Sequence, residues 1–253
     1  MENVSGTVNK AIDILDIFLK RKGEVSLTEL SELTGYNTST VYRLLSTMVK
    51  RGLLSQEKKK GKYSLGAKTI AFGFVARLNL NYLDTLYLHL SKLCHEHNVA
   101  VNVTVLHDGT ALVIDEIGIA NDFRVTALVG KQLPLHATAA GKIHLAYMST
   151  EERKIFYNLK PLELITPKTM ISIGQIEKVL EIVKREGIAF DQEEHILGTW
   201  AIAAPLFANK SGILATASAI VPATRIDAYR SQQLVSALKS CATEISLVLR
   251  RTV

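Results

Sequence analysis

Cysteine is almost missing from this chain: 253 residues contain only Cys94 and Cys241, too few for a disulfide framework. No apolar run is long enough to cross a bilayer. The first residues lack the basic start, apolar stretch and small-residue cleavage site of a leader peptide. A disulfide scaffold and a membrane protein are set aside, and a cytoplasmic protein is expected. No GxSxG nucleophile elbow is present, and no internal repeat or low-complexity tract. Cys94-His95-Glu96-His97 groups metal-binding residue types, but on a helix His95 and His97 point to different faces. No second ligand cluster accompanies them, so no metal and no cofactor are expected. What is present is a 47% hydrophobic composition, ample for a core. The net charge of +6 is concentrated early: residues 1–66 hold 11 Lys/Arg against 7 Asp/Glu. A basic first quarter suits a small nucleic-acid-binding module.

The stretch Asn37–Val49 organises that quarter. Val41, Leu44, Leu45 and Met48 fall at i, i+3, i+4 and i+7 and make one apolar helical stripe. The opposite face carries Ser39, Thr40, Tyr42, Arg43 and Ser46, and Asn37 or Thr38 can cap the start. A shorter helical pattern, Leu27, Leu30 and Leu33, precedes it and ends at Gly35. Two short helices joined by a glycine turn read as helix-turn-helix, the second presenting polar groups to a major groove. Alone, the pattern equally fits an amphipathic surface helix. After it, Leu53-Leu54-Ser55 and Tyr63-Ser64-Leu65 read as two strands around a turn bearing Lys58, Lys59, Lys60 and Lys62. Next to a reading helix, such a wing reaches the sugar-phosphate backbone. The combination predicts a winged helix.

Along the rest of the chain, residues 7–22 predict a helix with Val8, Ile12, Leu15 and Leu19 on the face packed behind the helix-turn-helix. Lys20, Arg21 and Lys22 complement its C-terminal dipole. From Ala67, Ile70, Phe74 and Leu78 give a connector helix whose apolar face pairs with a second copy. A helix with Leu83, Leu86, Leu90 and Leu93 inward follows. The period then drops to two: Val99, Val101, Val103 and Val105 alternate with Ala100, Asn102 and Thr104, predicting a half-buried strand. Asp108-Gly109 is a hairpin turn, with Ala111–Glu116 returning. Residues 123–128, 187–190, 200–207 and 213–220 predict further strands, the last two joined by the turn Asn209–Gly212. Helices fit 138–148, 150–158, 173–186 and 224–250, the last with Ile226, Leu234, Leu238, Ile245 and Leu249 as core positions. The pattern is α+β on an antiparallel sheet.

Leu135–Lys142, LHATAAGK, fails as a phosphate loop: His136 stands where its first glycine belongs, and Ile143 replaces the Mg²⁺-binding hydroxyl. What survives is a small-residue helix start, with Thr138 as cap and free N–H groups suited to a carboxylate near Ala139 and Ala140. Tight helix–sheet packing explains the same small residues. Asp191-Gln192-Glu193-Glu194-His195 is an acidic cluster after a strand. Ser218, His136 and Asp191 are the types a catalytic triad uses, yet nothing in the spacing joins them, so no catalytic residue is assigned. In a ligand pocket, Asp191 and Ser218 instead hydrogen-bond a hydroxyl, keto or protonated group.

Together, Ser39–Leu45 (STVYRLL), Tyr63–Gly66 (YSLG), Leu135–Lys142, Asp191–Glu194, Gly198 and Ala203-Ala204-Pro205 resemble the IclR family of bacterial transcription regulators over nearly the full length. The resemblance implies an N-terminal winged helix, a GAF-like effector-binding domain of antiparallel sheet flanked by helices, and homodimers or dimers of dimers on palindromic operators. It implies an effector pocket including Ala139, Ala140, Asp191, Ala201, Ser218 and Ile220. Glyoxylate-responsive relatives carry cysteine where Ala201 stands and serine where Ile220 stands. That difference predicts a larger, more apolar pocket for a bigger or less polar acid.

The expected organisation is 1–66 as the winged helix, 67–80 as connector and 81–253 as effector domain. Thr38, Ser39, Thr40, Tyr42, Arg43, Ser46, Lys58–Lys60 and Lys62 are the expected DNA-contacting residues. The expected function is a DNA-binding regulator, a repressor, of metabolic or catabolic genes, controlled by a small organic acid. Two rivals stand beside it: a small-acid-processing enzyme with an appended DNA-binding module, and a constitutive DNA-binding protein whose second domain only dimerises.

Overall fold

In a computed structural model, which describes residues 5–21, 23–57, 61–118, 129–208 and 212–252, the chain forms two units, Met1–Asn81 and Tyr82–Val253. The first begins with α1 (Gly6–Lys20), α2 (Leu27–Thr34) and α3 (Thr38–Lys50). Helix α2 starts on a capping box in which Ser26 and Glu29 satisfy each other's backbone N–H, and stops at Gly35, whose φ of 69° suits glycine. Ser31 Oγ donates to Tyr36 O at 2.6 Å and pins the turn before α3. Val41, Leu45 and Met48 of α3 are buried against Ile14, Phe18 and Leu30. Asn37 occupies the cap position, but its side chain makes no cap hydrogen bond.

Helix α1 corrects the sequence reading. Val8, Ile12 and Leu19 are exposed and Leu15 only half-buried, while Ile14 and Phe18 enter the core. The helix is apolar on more than one face, and α2 seats on the 14/18 stripe rather than the longer 8/12/15/19 one. Strands β1 (Leu54–Gln56) and β2 (Tyr63–Leu65) pair antiparallel, and Val25 bridges to Tyr63 at the wing's base. There Gly66 is obligatory, because a Cβ would lie 2.3 Å from Gly52 O. Lys22 and the wing residues Lys58–Lys60 lie outside the described residues. Helix α4 (Ala67–Leu78) buries none of its residues, and Ile70, Phe74 and Leu78 are each at least 60% exposed.

The second unit is built on a six-stranded antiparallel sheet flanked by helices. Its order is β5 (Gln132–Leu133), β4 (Thr110–Ile117), β3 (Ala100–His107), β8 (Ala215–Pro222), β7 (Thr199–Leu206), β6 (Ala189–Gln192). The β3–β4 hairpin turns on Asp108 and Gly109, both at positive φ, as a two-residue primed turn requires. Helices α5 (Tyr82–His97) and α9 (Ala228–Thr252) pack with the sheet, as does α6 (Ala139–Tyr147), which is followed by α7 (Thr150–Leu159) and also packs on α8 (Ile173–Glu186). Leu83, Leu86, Leu90 and Leu93 of α5 are buried, as are Leu234, Leu238, Ile245 and Leu249 of α9. Ile226 is only half-buried and precedes α9, which starts at Ala228 after a 3-10 turn, Ala223–Arg225.

Strand β3 is buried on both sides from Ala100 to Thr104, not half-buried as its alternation suggested. Asn102 and Thr104 therefore face the protein interior instead of water. The strand expected at 123–128 and the turn residues 209–211 lie outside the described residues. Strand β6 runs from Ala189 to Gln192, later than expected, so Asp191 sits inside a strand rather than after one.

Candidate functional site

Cross-strand register assembles the pocket. Asp191 on β6 pairs with Ala201 on β7, and Ala201 with Ile220 on β8, so these three share one row and one face of the sheet. Two residues along, Ser218 pairs with Asn102 on β3, the same pleat. The N-terminus of α6 brings Thr138, Ala139 and Ala140 to this face. Thr138 Oγ1 accepts from Gly141 N at 3.1 Å and donates to Pro134 O at 2.7 Å. A Cβ on Gly141 would fall 2.3 Å from Leu135 Cα, so only glycine lets the preceding loop lie flat on the helix. All six residues expected in the effector pocket thus line one cavity, together with Asn102, Thr104, Lys131, Leu133, Thr138, His195, Ile196 and Thr199.

That cavity measures about 50 Å³. One water needs about 10–15 Å³ by such a measure, so it takes a few heavy atoms. The larger, more apolar pocket expected from Ala201 and Ile220 is not found. Isoleucine is bulkier than the serine it stands for, Leu133 and Ile196 close in, and Asn102, Thr104, Ser218 and Asp191 keep the lining polar. Among the described residues, Asn102 Oδ1 and Ser218 Oγ are buried without a hydrogen-bond partner. An unpaired buried acceptor costs about 1–3 kcal/mol, which a bound group that completes the bonding removes. Sequence reading missed Asn102 because polar residues alternating with valines look like a strand's wet side.

Asp191 Oδ1 accepts the backbone N–H groups of Glu194 (2.8 Å) and His195 (3.3 Å). Burial nevertheless pushes its carboxyl up to about 7, with nearby Glu194 adding to the rise. Burial drives His195 down to about 4, helped by neighbouring Lys131 and His136, so its imidazole is neutral. Behind the cavity, Lys142 is 2% exposed and donates from Nζ to Phe190 O (2.8 Å) and Glu194 Oε1 (2.5 Å). The lysine that imitated a phosphate loop therefore anchors the acidic turn after β6. Thr166 and Thr169 hold the same turn by donating to Glu193 O and Glu194 O, and Lys168 pairs with Glu193. A wider groove of about 640 Å³ between α8, β6 and α9 has walls shared between apolar side chains and charged or polar ones such as Lys168, Glu186 and Lys239.

The triad reading is not assembled. His136 Nε2 lies 2.9 Å from Glu163 O and outside the cavity lining, and among the described residues Ser218 Oγ has no base within hydrogen-bond reach. Among the described residues no cluster of three or more His, Cys, Asp or Glu can hold a metal, and no helix is long and apolar enough to cross a membrane.

On α3, Thr38, Ser39, Tyr42, Arg43 and Ser46 are exposed, Tyr42 by 57%. Thr40 is half-buried, and Thr38 Oγ1 lies 3.2 Å from Ser31 Oγ. Lys62 is half-buried too, close enough to Glu29 to help lower that carboxyl's pKa, behind the backbone N–H and hydroxyl bonds from Ser26.

Comparison with known proteins gives two family matches. Residues 7–58 match the IclR helix-turn-helix domain, and residues 76–247 match the bacterial transcriptional regulator IclR C-terminal domain. The transcriptional repressor IclR of Escherichia coli K12 is 30% identical over 243 residues, covering 95% of this chain and 89% of the relative. An IclR transcriptional regulator from Alicyclobacillus acidocaldarius superposes with a TM-score of 0.85 at 23% identity, covering 96% and 98% of the two chains. An IclR homolog from Microbacterium hydrocarbonoxydans, solved in complex with 4-hydroxybenzoate, gives 0.82 at 20% identity over 97% and 100%.

Proposed function

The chain belongs to the IclR family of transcriptional regulators, and from that premise we propose that a compact organic acid, bound between α6 and the sheet, sets its affinity for an operator. It is a DNA-binding regulator, and the E. coli relative that supports this is a repressor. The observation that carries the finer reading is the cavity itself: beside a helix N-terminus, Asn102 Oδ1 and Ser218 Oγ converge there without a hydrogen-bond partner among the described residues. The 4-hydroxybenzoate held by the Microbacterium relative supports an acid as effector. Its size does not carry over, because about 50 Å³ suits a smaller one.

Residues 1–66 serve as reading head, 67–80 as connector and 81–253 as effector domain. Ser39, Tyr42, Arg43 and Ser46 reach the major groove, with Thr38 and Thr40 at the helix start. The bare apolar face Ile70, Phe74 and Leu78 of α4 seats a second copy, which matches a palindromic operator to a homodimer or a dimer of dimers. The protein acts in the cytoplasm, on metabolic or catabolic genes. We read it as a regulator and not as an enzyme, in keeping with its family; turnover of any bound acid on prolonged incubation would restore the enzyme reading.

Two measurements test the reading head. Arg43→Ala is expected to weaken binding to a duplex selected from a random library by about 1–3 kcal/mol and to relax preference at one base pair. Unchanged affinity and preference would remove Arg43 from the interface. Replacing Lys58, Lys59 and Lys60 with glutamine is expected to reduce the slope of log affinity against log salt by up to about 2.7, at about 0.9 for each phosphate no longer neutralised. An unaltered slope means the wing does not touch phosphate.

A further inference from the structure

We propose that the bound acid is a short 2-hydroxy carboxylate, recognised through its hydroxyl by Asn102 and Ser218. The inference rests on the effector reading above and narrows it to a chemical class.

Two neighbouring polar atoms with complementary needs point to that class. Asn102 and Ser218 face each other across β3 and β8, are 3% and 5% exposed, and both line the cavity. Asn102 Oδ1 can only accept a hydrogen bond and has no donor among the described residues. Ser218 Oγ likewise has no partner among them and can donate or accept. One hydroxyl placed between them satisfies both, giving its proton to Asn102 Oδ1 and taking one from Ser218 Oγ. A keto oxygen there accepts from Ser218 but sets a second acceptor against Asn102 Oδ1. A methylene leaves both atoms unpaired. The sheet thus discriminates by hydroxyl.

The remaining walls fix the other end and the length. The first turn of α6 presents backbone N–H groups without helical partners beside Ala139 and Ala140, and Lys131 adds a cation to the lining. A carboxylate docks there. Leu133, Ile196 and Ile220 close the space around it, and about 50 Å³ leaves room for little beyond the carboxylate and the carbon carrying the hydroxyl.

Isothermal titration calorimetry of the full chain tests this with glycolate, both enantiomers of lactate, pyruvate and propionate. Pyruvate is the informative oxo acid, because its carbonyl stays largely unhydrated in water. Glycolate or one lactate enantiomer is expected to bind at least about tenfold tighter than pyruvate and propionate, since an unsatisfied buried acceptor carries a penalty of that order. In Asn102→Leu the preference is expected to fall to within about twofold to threefold. Should that variant melt early, Ser218→Ala, which removes one atom, is expected to weaken the hydroxy acid about tenfold while leaving propionate unchanged. Pyruvate or propionate binding as tightly as the hydroxy acids would overturn the hydroxyl assignment and leave the effector reading standing. Failure of all the acids to bind would overturn both.

Discussion

Replacing Lys142 with methionine is expected to lower the unfolding free energy of the effector domain by about 3–5 kcal/mol. Methionine keeps most of the stem volume, so the loss is electrostatic. The variant leaves Glu194, itself buried, without Lys142's cation, while Glu194 Oε2 already lacks a partner among the described residues. It also strands Phe190 O, on the edge strand β6, which Lys142 Nζ otherwise satisfies. A buried pair gains little over apolar residues of similar size but is costly to break on one side. The double variant Lys142→Met, Glu194→Leu is therefore expected to recover most of the loss. Urea unfolding at pH 7 checks both. A single variant within about 1 kcal/mol of the parent would show that the pair does not hold the turn carrying Asp191.

Asp191→Asn is expected to stabilise the protein, increasingly so as pH rises. The folded carboxyl titrates near 7 against an unfolded value of 3.8. Between those values the folded state keeps a proton that the unfolded state has released, so stability from this group falls with pH. It is fully present below 3.8, lost progressively up to about 7, and absent above. At about 1.36 kcal/mol per pH unit, the advantage of the variant grows by roughly 4 kcal/mol between pH 4 and pH 8. Asparagine keeps an Oδ1 for the N–H groups of Glu194 and His195, so the turn is retained. His195 titrates in both proteins and cancels in the difference. Denaturation at a series of pH values is the check; a difference flat with pH would mean that Asp191 is ionised throughout. A group that costs stability at working pH is one retained for binding.

The reading head was legible because its signals are local. The stripe Val41, Leu45 and Met48, the turn at Gly35 and the strand pair around the lysine run all lie within about thirty residues. The Asp108-Gly109 hairpin was legible for the same reason. The phase of α1 was not: its apolar residues exceed one stripe, and only packing against α2 selects Ile14 and Phe18. Of the pocket, the helix start at Ala139 and Ala140, Asp191 and Ser218 were legible as candidates, whereas Ala201 and Ile220 came only from the family resemblance, since strand register joins them to Asp191 and no spacing reveals that. Register also turned Asn102 from an expected wet-face residue into a wall of the cavity. Lys142 and Glu194 are separated by 52 positions. Each has an ordinary local meaning, a phosphate-loop remnant and one acid in a cluster, and only folding makes them a pair.

Coupling between the acid and DNA is the central claim. The direct measurement is the dissociation constant of the full chain for its library-selected duplex, by fluorescence anisotropy at fixed salt. It is taken with and without a saturating amount of the tightest-binding acid from the calorimetric set. A change of about 5–150-fold is predicted for the parent protein, the span of a 1–3 kcal/mol coupling, with no change in Asp191→Ala. An acid that calorimetry shows bound, with the duplex held equally tightly in its presence and absence, would contradict it.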